Sequence, residues 1–207
     1  MSTSHAKAAA TFLENRPRVA WHDQALWFVR EKRDKMSHAV PEWEELRQMA
    51  HDLKRYNITH LAELLQQFEA NAQKNGVVVH WAADAEEHNR IVHELLQSHK
   101  VHCLVKSKSM LCEECGLNEY LLERGIDVVE SDLGERILQL MHAKPSHIVL
   151  PAIHIKREEV GELFEREMGT EKGNSDPTYL THAARKNLRN YFLHADAAMT
   201  GGNFAVA

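Results

Sequence analysis

The spacing of apolar residues along the first third of the chain is helical. Apolar positions recur every three or four residues in three segments, which is the periodicity of amphipathic helices. These segments are 19–36, 43–53 and 58–68. Asn75-Gly76 then forms a typical helix stop. The pattern predicts an N-terminal helical region over residues 1–75, whose apolar stripes pack on the domain or on partner subunits.

From Val77 onward the pattern changes to short runs rich in Val and Ile that alternate with helical segments. The predicted strands are Val77–Trp81, His102–Val105, Ile126–Val129 and His147–Leu150. The helices predicted after them are 84–99, 110–124, 133–142 and 156–168, with one more at 178–195. Such strand-then-helix units predict a parallel sheet, and strands that are apolar throughout indicate burial on both faces. The predicted fold class is therefore α/β, a parallel sheet flanked by helices over residues 76–207, with an N-terminal helical extension.

The last ten residues contain Gly201-Gly202, which predicts a turn, and the apolar run Asn203–Ala207, which predicts a strand. A doubly wound domain rarely finishes on such a strand. We therefore expect the α/β domain to be incomplete at its C-terminus. The unpaired sheet edge that would result favours self-association.

Charge and composition narrow the class of protein. The net charge is −5 and the basic residues are scattered, so nucleic acid is not expected as a partner. No apolar run approaches the roughly 20 residues of a transmembrane helix, and the N-terminus lacks the apolar core of a secretory signal. Three cysteines, an odd number, argue against a disulfide framework. The expected compartment is the cytoplasm.

Histidine and cysteine spacing does not predict a metal site. Among the 15 histidines, only His99 and His102 lie three apart and none lie four apart. That pair falls across a predicted helix end and strand start, so it forms no helical metal face. Cys112 and Cys115 have metal-ligand spacing, but only Cys103 remains to join them, and zinc and iron–sulfur sites take four ligands. We predict no bound metal in this chain.

Polar residues concentrate after three of the predicted strands, in Lys106–Asn118, Glu130–Glu135 and Pro145–His154. Ligands of open parallel sheets bind outside the carboxyl ends of the strands. Two lysines and two hydroxyls at a helix start predict an anion site. Each segment also has a purely structural interpretation: Ser109 and Asp132 as helix caps, Pro151 as a strand end and His154 as a surface residue. Their coincidence at one edge favours a ligand.

The same segments resemble a known family. They are KSKSM (106–110), EECGLN (113–118), ESDLGERILQL (130–140), PSHIVLPAIH (145–154) and TGGNFAVA (200–207). They are similar to the bacterial lactate-utilisation iron–sulfur protein, the B subunit of a three-part L-lactate oxidation system, which carries a LUD domain. The resemblance implies a fold similar to ribose-phosphate isomerases and coenzyme A transferases. The matching residues, assigned to a ligand-binding edge, are Lys106, Ser107, Lys108, Ser109, Glu114, Asn118, Asp132, Gly134, Glu135, His147 and His154.

The resemblance also implies [4Fe–4S] clusters and electron transport in the full-length family, held by a downstream region with repeated CxxCxxCxxxCP runs. This chain has no such run, so we expect it to match the N-terminal portion only, with no cofactor of its own and other subunits of the system as partners.

Three functions stay open. The first is part of an electron-transfer subunit for lactate oxidation, not catalytic alone. The second is a stand-alone binding module for a small anionic or phosphorylated metabolite. The third is an isomerase- or transferase-like enzyme with Glu114, Glu135 or His154 as acid or base.

Overall fold

The computed structural model describes residues 5–202, and its contacts divide the chain into two compact units at Trp81 and Ala82. The first unit contains four helices, which are α1 (His5–Glu14), α2 (Arg16–His38), α3 (Trp43–Thr59) and α4 (Leu61–Lys74). The Asn15 side chain caps α2 by accepting a hydrogen bond from the Arg18 N–H, which satisfies one of the free donors of a helix start. The helices predicted from periodicity in this part of the chain are confirmed.

The second unit alternates strands and helices. Its elements are α5 (Ala85–Ser98), β1 (Cys103–Lys106), α6 (Met110–Glu114), α7 (Leu117–Leu122), β2 (Asp127–Glu130), α8 (Leu133–Met141), α9 (Arg157–Met168), α10 (Pro177–His194) and β3 (Ala197–Met199). The strand order is β2-β1-β3, and β1 pairs in parallel with both neighbours. The predicted α/β class, a parallel sheet flanked by helices, is confirmed.

The core lies on both faces of this sheet. Leu104 of β1 packs with Leu117 and Leu121 of α7, whereas the next residue, Val105, packs with Leu188 of α10. Because successive side chains of a strand point to opposite faces, a run that is apolar throughout is buried between two helical layers. A further cluster, centred on Phe164 of α9, joins α8, α9 and α10.

Two predicted strands are wrong. Val77–Trp81 is irregular, and Val78 is 74% exposed. The Val77 N–H bonds to the Ala72 carbonyl, and the Trp81 indole N–H donates to the Glu69 carboxylate at 3.0 Å. These bonds hold the segment against α4. An apolar run becomes a strand only where a neighbouring strand can take its backbone hydrogen bonds.

The predicted strand His147–Leu150 is instead a series of bends. The His147 Nδ1 atom accepts hydrogen bonds from the N–H groups of Val149 and Leu150, at 3.1 and 3.0 Å. This local side-chain bonding competes with strand pairing, and Pro145 and Pro151 flank the segment.

Sequence periodicity missed β3, which is short and contains two alanines. It is joined to β1 by Asp196, whose carboxylate accepts hydrogen bonds from the N–H groups of His102 and Cys103 at 2.8 and 3.0 Å. The helix predicted over 110–124 is also divided, at Gly116 with its positive φ of 64°. The predicted strand at Asn203–Ala207 lies outside the described residues.

Candidate functional site

The last residues of β1 and β2 form a buried ion pair at the carboxyl edge of the sheet. The register places Lys106 beside Glu130, and the Lys106 Nζ atom lies 2.7 Å from Glu130 Oε1. The Asn118 amide donates to the same oxygen at 2.7 Å. Both charged side chains are almost completely buried, at 0% and 4% exposure. Nζ and Glu130 Oε2 make no hydrogen bond of good geometry among the described atoms, so bonding capacity remains in this pair.

A second ion pair lies next to the first. The Lys108 Nζ atom is 3.1 Å from Glu135 Oε1, and these side chains are 20% and 7% exposed. Asp132 begins α8 by accepting from the N–H groups of Gly134 and Glu135, at 3.0 and 3.2 Å. The Ser109 hydroxyl accepts from the Cys112 N–H at the start of α6. The caps therefore orient the two helices that carry the charged groups.

Glu113 of α6 is a third carboxylate in this charged cluster. Burial raises its pKa most, the negative charge of Glu135 raises it further, and Lys106 opposes both effects. Glu130 and Lys108 act more weakly, in opposite directions. The Glu113 Oε1 atom is buried and has no hydrogen-bond partner within the described part of the chain. This environment therefore favours the protonated form of the Glu113 carboxyl group more than water does.

The segment Pro145–His154 covers one side of the charged cluster. A Cβ atom on Gly134 would lie 2.9 Å from the Pro151 side chain, so only glycine fits where the segment crosses the start of α8. Ser146 and His154 are joined by a 2.7 Å hydrogen bond between Oγ and Nδ1. Beside them is a depression of about 180 Å³, lined by Met110, Glu113, Pro145, Ser146, His147 and Ile148.

The end of β3 completes the edge. The Ser107 N–H donates to the Met199 carbonyl at 2.9 Å, and the Gly201 N–H donates to the Ser107 hydroxyl at 3.3 Å. A Cβ atom on Gly201 would lie only 2.6 Å from the Ser109 Cβ atom, so this position requires glycine. The three strands thus end beside one another, with their following residues in direct contact.

The structure brings most of the predicted site residues to this edge in different roles. Lys106, Lys108, Asn118 and Glu135 belong to the charged cluster. Ser107, Ser109, Asp132 and Gly134 shape the backbone around it. His147 and His154 lie in the covering segment. Glu114 is exposed, and the neighbouring Glu113 contributes to the charged cluster instead.

Sequence reasoning missed two residues, Glu113 and Glu130. The rotation of α6 about its axis, which the Ser109 cap sets, decides which of Glu113 and Glu114 faces the charged cluster. Glu130 could have been found, because a lysine and a glutamate each close a predicted parallel strand. Oppositely charged residues that close two neighbouring parallel strands are expected to pair when they are buried.

The cysteines of this chain do not form an iron–sulfur site like those that the resemblance places in a downstream region. A [4Fe–4S] cluster takes four cysteine thiolates, and the chain contains three cysteines. Cys112 is buried among the leucines that pack on β1. Burial raises the pKa of Cys103 and of Cys115, which favours the thiol over the ligating thiolate. No three metal-ligating side chains among residues 5–202 are arranged to hold an ion.

Within the same residues, no helix is both long and apolar enough to cross a lipid bilayer.

Comparisons with known proteins place the chain in a family. The family model for the LUD domain matches residues 65–207. Lactate utilization protein B of an Exiguobacterium species is 44% identical over 179 residues, which cover 86% of this chain and 38% of that protein. The proteins of the same name from Shouchella clausii and Geobacillus thermodenitrificans are 42% and 43% identical, each over 80% of this chain and 35% of theirs.

The chain therefore spans well under half the length of these curated relatives. No solved structure matches it significantly. Because the family model for the LUD domain matches more than half of the chain, the chain belongs to the LUD-domain family.

Proposed function

We propose that this LUD-domain chain serves in the utilisation of lactate, and that its part is to bind a small anionic metabolite at the carboxyl edge of the sheet. The role in lactate utilisation is supported by the chain's 44% sequence identity with a protein named Lactate utilization protein B. The second half is supported by the charged cluster at the strand ends, where open parallel sheets bind ligands.

The arrangement of charges favours binding over electron transfer as the role of these residues. Lys108, which is 20% exposed, is held in place by the buried Glu135 carboxylate, so a ligand meets a fixed charge there without ordering a long side chain. The electron transfer that the resemblance implies needs [4Fe–4S] clusters, and the cysteines of this chain do not fit them. In this proposal, cluster chemistry belongs to other parts of the lactate-utilisation system, with which the chain works.

Growth on lactate tests the proposed role. A strain lacking the gene that encodes this chain is grown with L-lactate or with glucose as its carbon source, and the wild-type gene is restored as the control. We expect a growth defect on L-lactate only. Equal growth on L-lactate with and without the gene would contradict the role.

A second strain separates the binding edge from the rest of the protein. It carries the gene with Lys108→Ala, which removes the more exposed of the two lysines. Slow growth on L-lactate, with normal protein abundance, supports a binding role for the edge. Full growth of this variant would leave the lactate role intact and contradict the assignment of Lys108. A stand-alone module for another metabolite predicts no growth defect on L-lactate in either strain.

A further inference from the structure

The depression between α6 and the segment Pro145–His154 has the size of a small-metabolite site. Its volume is about 180 Å³, and its lining combines the Met110 and Ile148 side chains with Glu113, Ser146 and His147. A ligand of only a few heavy atoms fits this space. The apolar side chains suit a short hydrocarbon group, and the polar ones suit a group that accepts hydrogen bonds.

His147 presents a fixed hydrogen-bond donor. Its Nδ1 atom accepts from two backbone N–H groups. The proton of the neutral imidazole therefore lies on Nε2, because a ring nitrogen that accepts hydrogen bonds carries no hydrogen. The backbone turn thus selects the tautomer in which Nε2 carries the hydrogen and can donate it to a ligand. Ser146 is oriented beside it through its bond to His154.

Charge balance decides what kind of acceptor fits. The groups that act on Glu113 are Lys106 at the end of β1, Lys108 in the following loop, Glu130 of β2 and Glu135 of α8; His147 faces it across the depression. With all groups ionised, three carboxylates face two ammonium groups. Protonation of Glu113 balances the two signs, and burial together with Glu135 already raises its pKa.

When Glu113 is protonated, the cluster has no net charge. A bound monocarboxylate then gives it one net negative charge, the same as the empty cluster has with Glu113 ionised. A dianion such as sulfate would add one more negative charge among groups that are largely removed from water, where like-charge repulsion is strong. The cluster therefore suits a monoanion that arrives with a proton.

We propose that this depression binds a small monocarboxylate together with one proton, with Glu113 holding the proton and His147 donating from Nε2 to the ligand carboxylate. The proposal rests on the binding role given to the edge under the proposed function. It adds the class of ligand, the place where it binds and the coupling to protonation.

Titration calorimetry of the full chain with L-lactate tests the coupling, between about pH 5.5 and about pH 8 and in buffers of different ionisation enthalpy. Above the pKa of Glu113 in the free protein, we expect affinity to fall about tenfold for each pH unit. Over the same range, binding should take up about one proton. Pyruvate, also a monocarboxylate, should behave in the same way. Inorganic sulfate, a dianion over this whole pH range, should bind more weakly than either.

Three variants sharpen the test. Glu113→Gln keeps a neutral donor at every pH, so it should bind L-lactate at alkaline pH without proton uptake. Glu119→Gln, an exposed glutamate of α7, should behave as the wild type. His147→Ala should lower affinity by about tenfold or more, the effect of losing a hydrogen bond to a charged group, and should leave the proton uptake unchanged. Thermal melting of each variant checks that it is folded.

Several outcomes would overturn the inference. They are affinity for L-lactate that does not change with pH, proton uptake that persists in Glu113→Gln, tighter binding of sulfate than of L-lactate, or no binding of either monocarboxylate. None of these results alters the growth experiment. A growth defect on L-lactate alongside failed binding would reject this ligand site and keep the role in lactate utilisation, whereas normal growth alongside proton-coupled binding would reject the role and keep the site.

Discussion

The helices of the α/β unit and those of the helical region have the same kind of apolar periodicity, but their apolar side chains differ in how far they are buried. In the α/β unit, Leu117, Leu121 and Phe164 are fully buried. In the helical region, no residue of α2, α3 or α4 is buried, and Phe68 is 62% exposed. An apolar stripe therefore predicts a helix well, but its burial depends on whether a sheet or another helix offers a matching surface.

Replacement of a core phenylalanine should have the largest effect and sets the two regions apart most clearly. We expect Phe164→Ala to lower the free energy of unfolding by about 3–5 kcal/mol, because it leaves a cavity among the three helices around it. Its matched control is Phe68→Ala, which removes the same side chain from an exposed position and should cost less than about 1 kcal/mol. Urea denaturation followed by circular dichroism measures both. Equal losses would mean that the helical region buries Phe68 in solution.

Two ion pairs give the next contrast. Lys106→Met leaves the Glu130 carboxylate buried without its cation, and we expect a loss of about 3–5 kcal/mol. In the helical region, Arg55 lies 2.9 Å from Asp52 and both side chains are well exposed, so Arg55→Met should cost less than about 1 kcal/mol. The double variant Lys106→Met with Glu130→Gln should recover part of the loss, and no recovery would argue against the pair as its cause.

Helix caps allow a smaller comparison of the same kind. Asp132 accepts two backbone hydrogen bonds at the start of α8, so Asp132→Ala should lower the free energy of unfolding by about 1 kcal/mol. Glu42 precedes α3 and makes no capping hydrogen bond with its side chain. Glu42→Ala is therefore the control, with an expected change of less than about 0.5 kcal/mol. Thermal melting at one pH distinguishes the two, and an equal change would show that capping is not the cause.

The smallest expected effects are on the pH dependence of the free energy of unfolding. They have opposite signs for Asp196 and Glu113. Hydrogen bonds from the His102 and Cys103 N–H groups lower the pKa of Asp196, so its stabilisation is present above its ordinary pKa and is lost as pH falls through the lowered value. Burial raises the pKa of Glu113, so its ionisation destabilises the fold above the raised value and has no effect below the ordinary one.

Stability curves against pH should therefore diverge between two variants. Asp196→Asn should lose stability at neutral pH and approach the wild type in acid. Glu113→Gln should gain stability at neutral pH and lose that gain in acid. The same sign for both variants at neutral pH would contradict the environments assigned to these carboxylates.

The sequence predicts the parts of this molecule that short-range chemistry controls. β1, β2 and the caps at Ser109 and Asp132 follow from apolar runs and from residues that accept hydrogen bonds at helix starts. The sequence fails where a partner decides the outcome. Val77–Trp81 has strand-forming residues but is held against α4, and β3 has weak strand formers but pairs with β1.

The candidate site follows the same rule. The edge and both of its lysines are predicted by the position of polar residues after apolar strands. The pairing of Lys106 with Glu130 needs the strand register. The inward position of Glu113, rather than Glu114, needs the rotation of a short helix about the sheet. Neither quantity is encoded in local periodicity.

The central claim is that the carboxyl edge of the sheet binds a small monocarboxylate, and a backbone amide NMR titration with L-lactate tests it most directly. We predict saturable shifts at Glu113, Ser146, His147 and Ile148, with α2, α3 and α4 unchanged. Shifts confined to those three helices, or no saturable shift at the sheet edge, would contradict the claim.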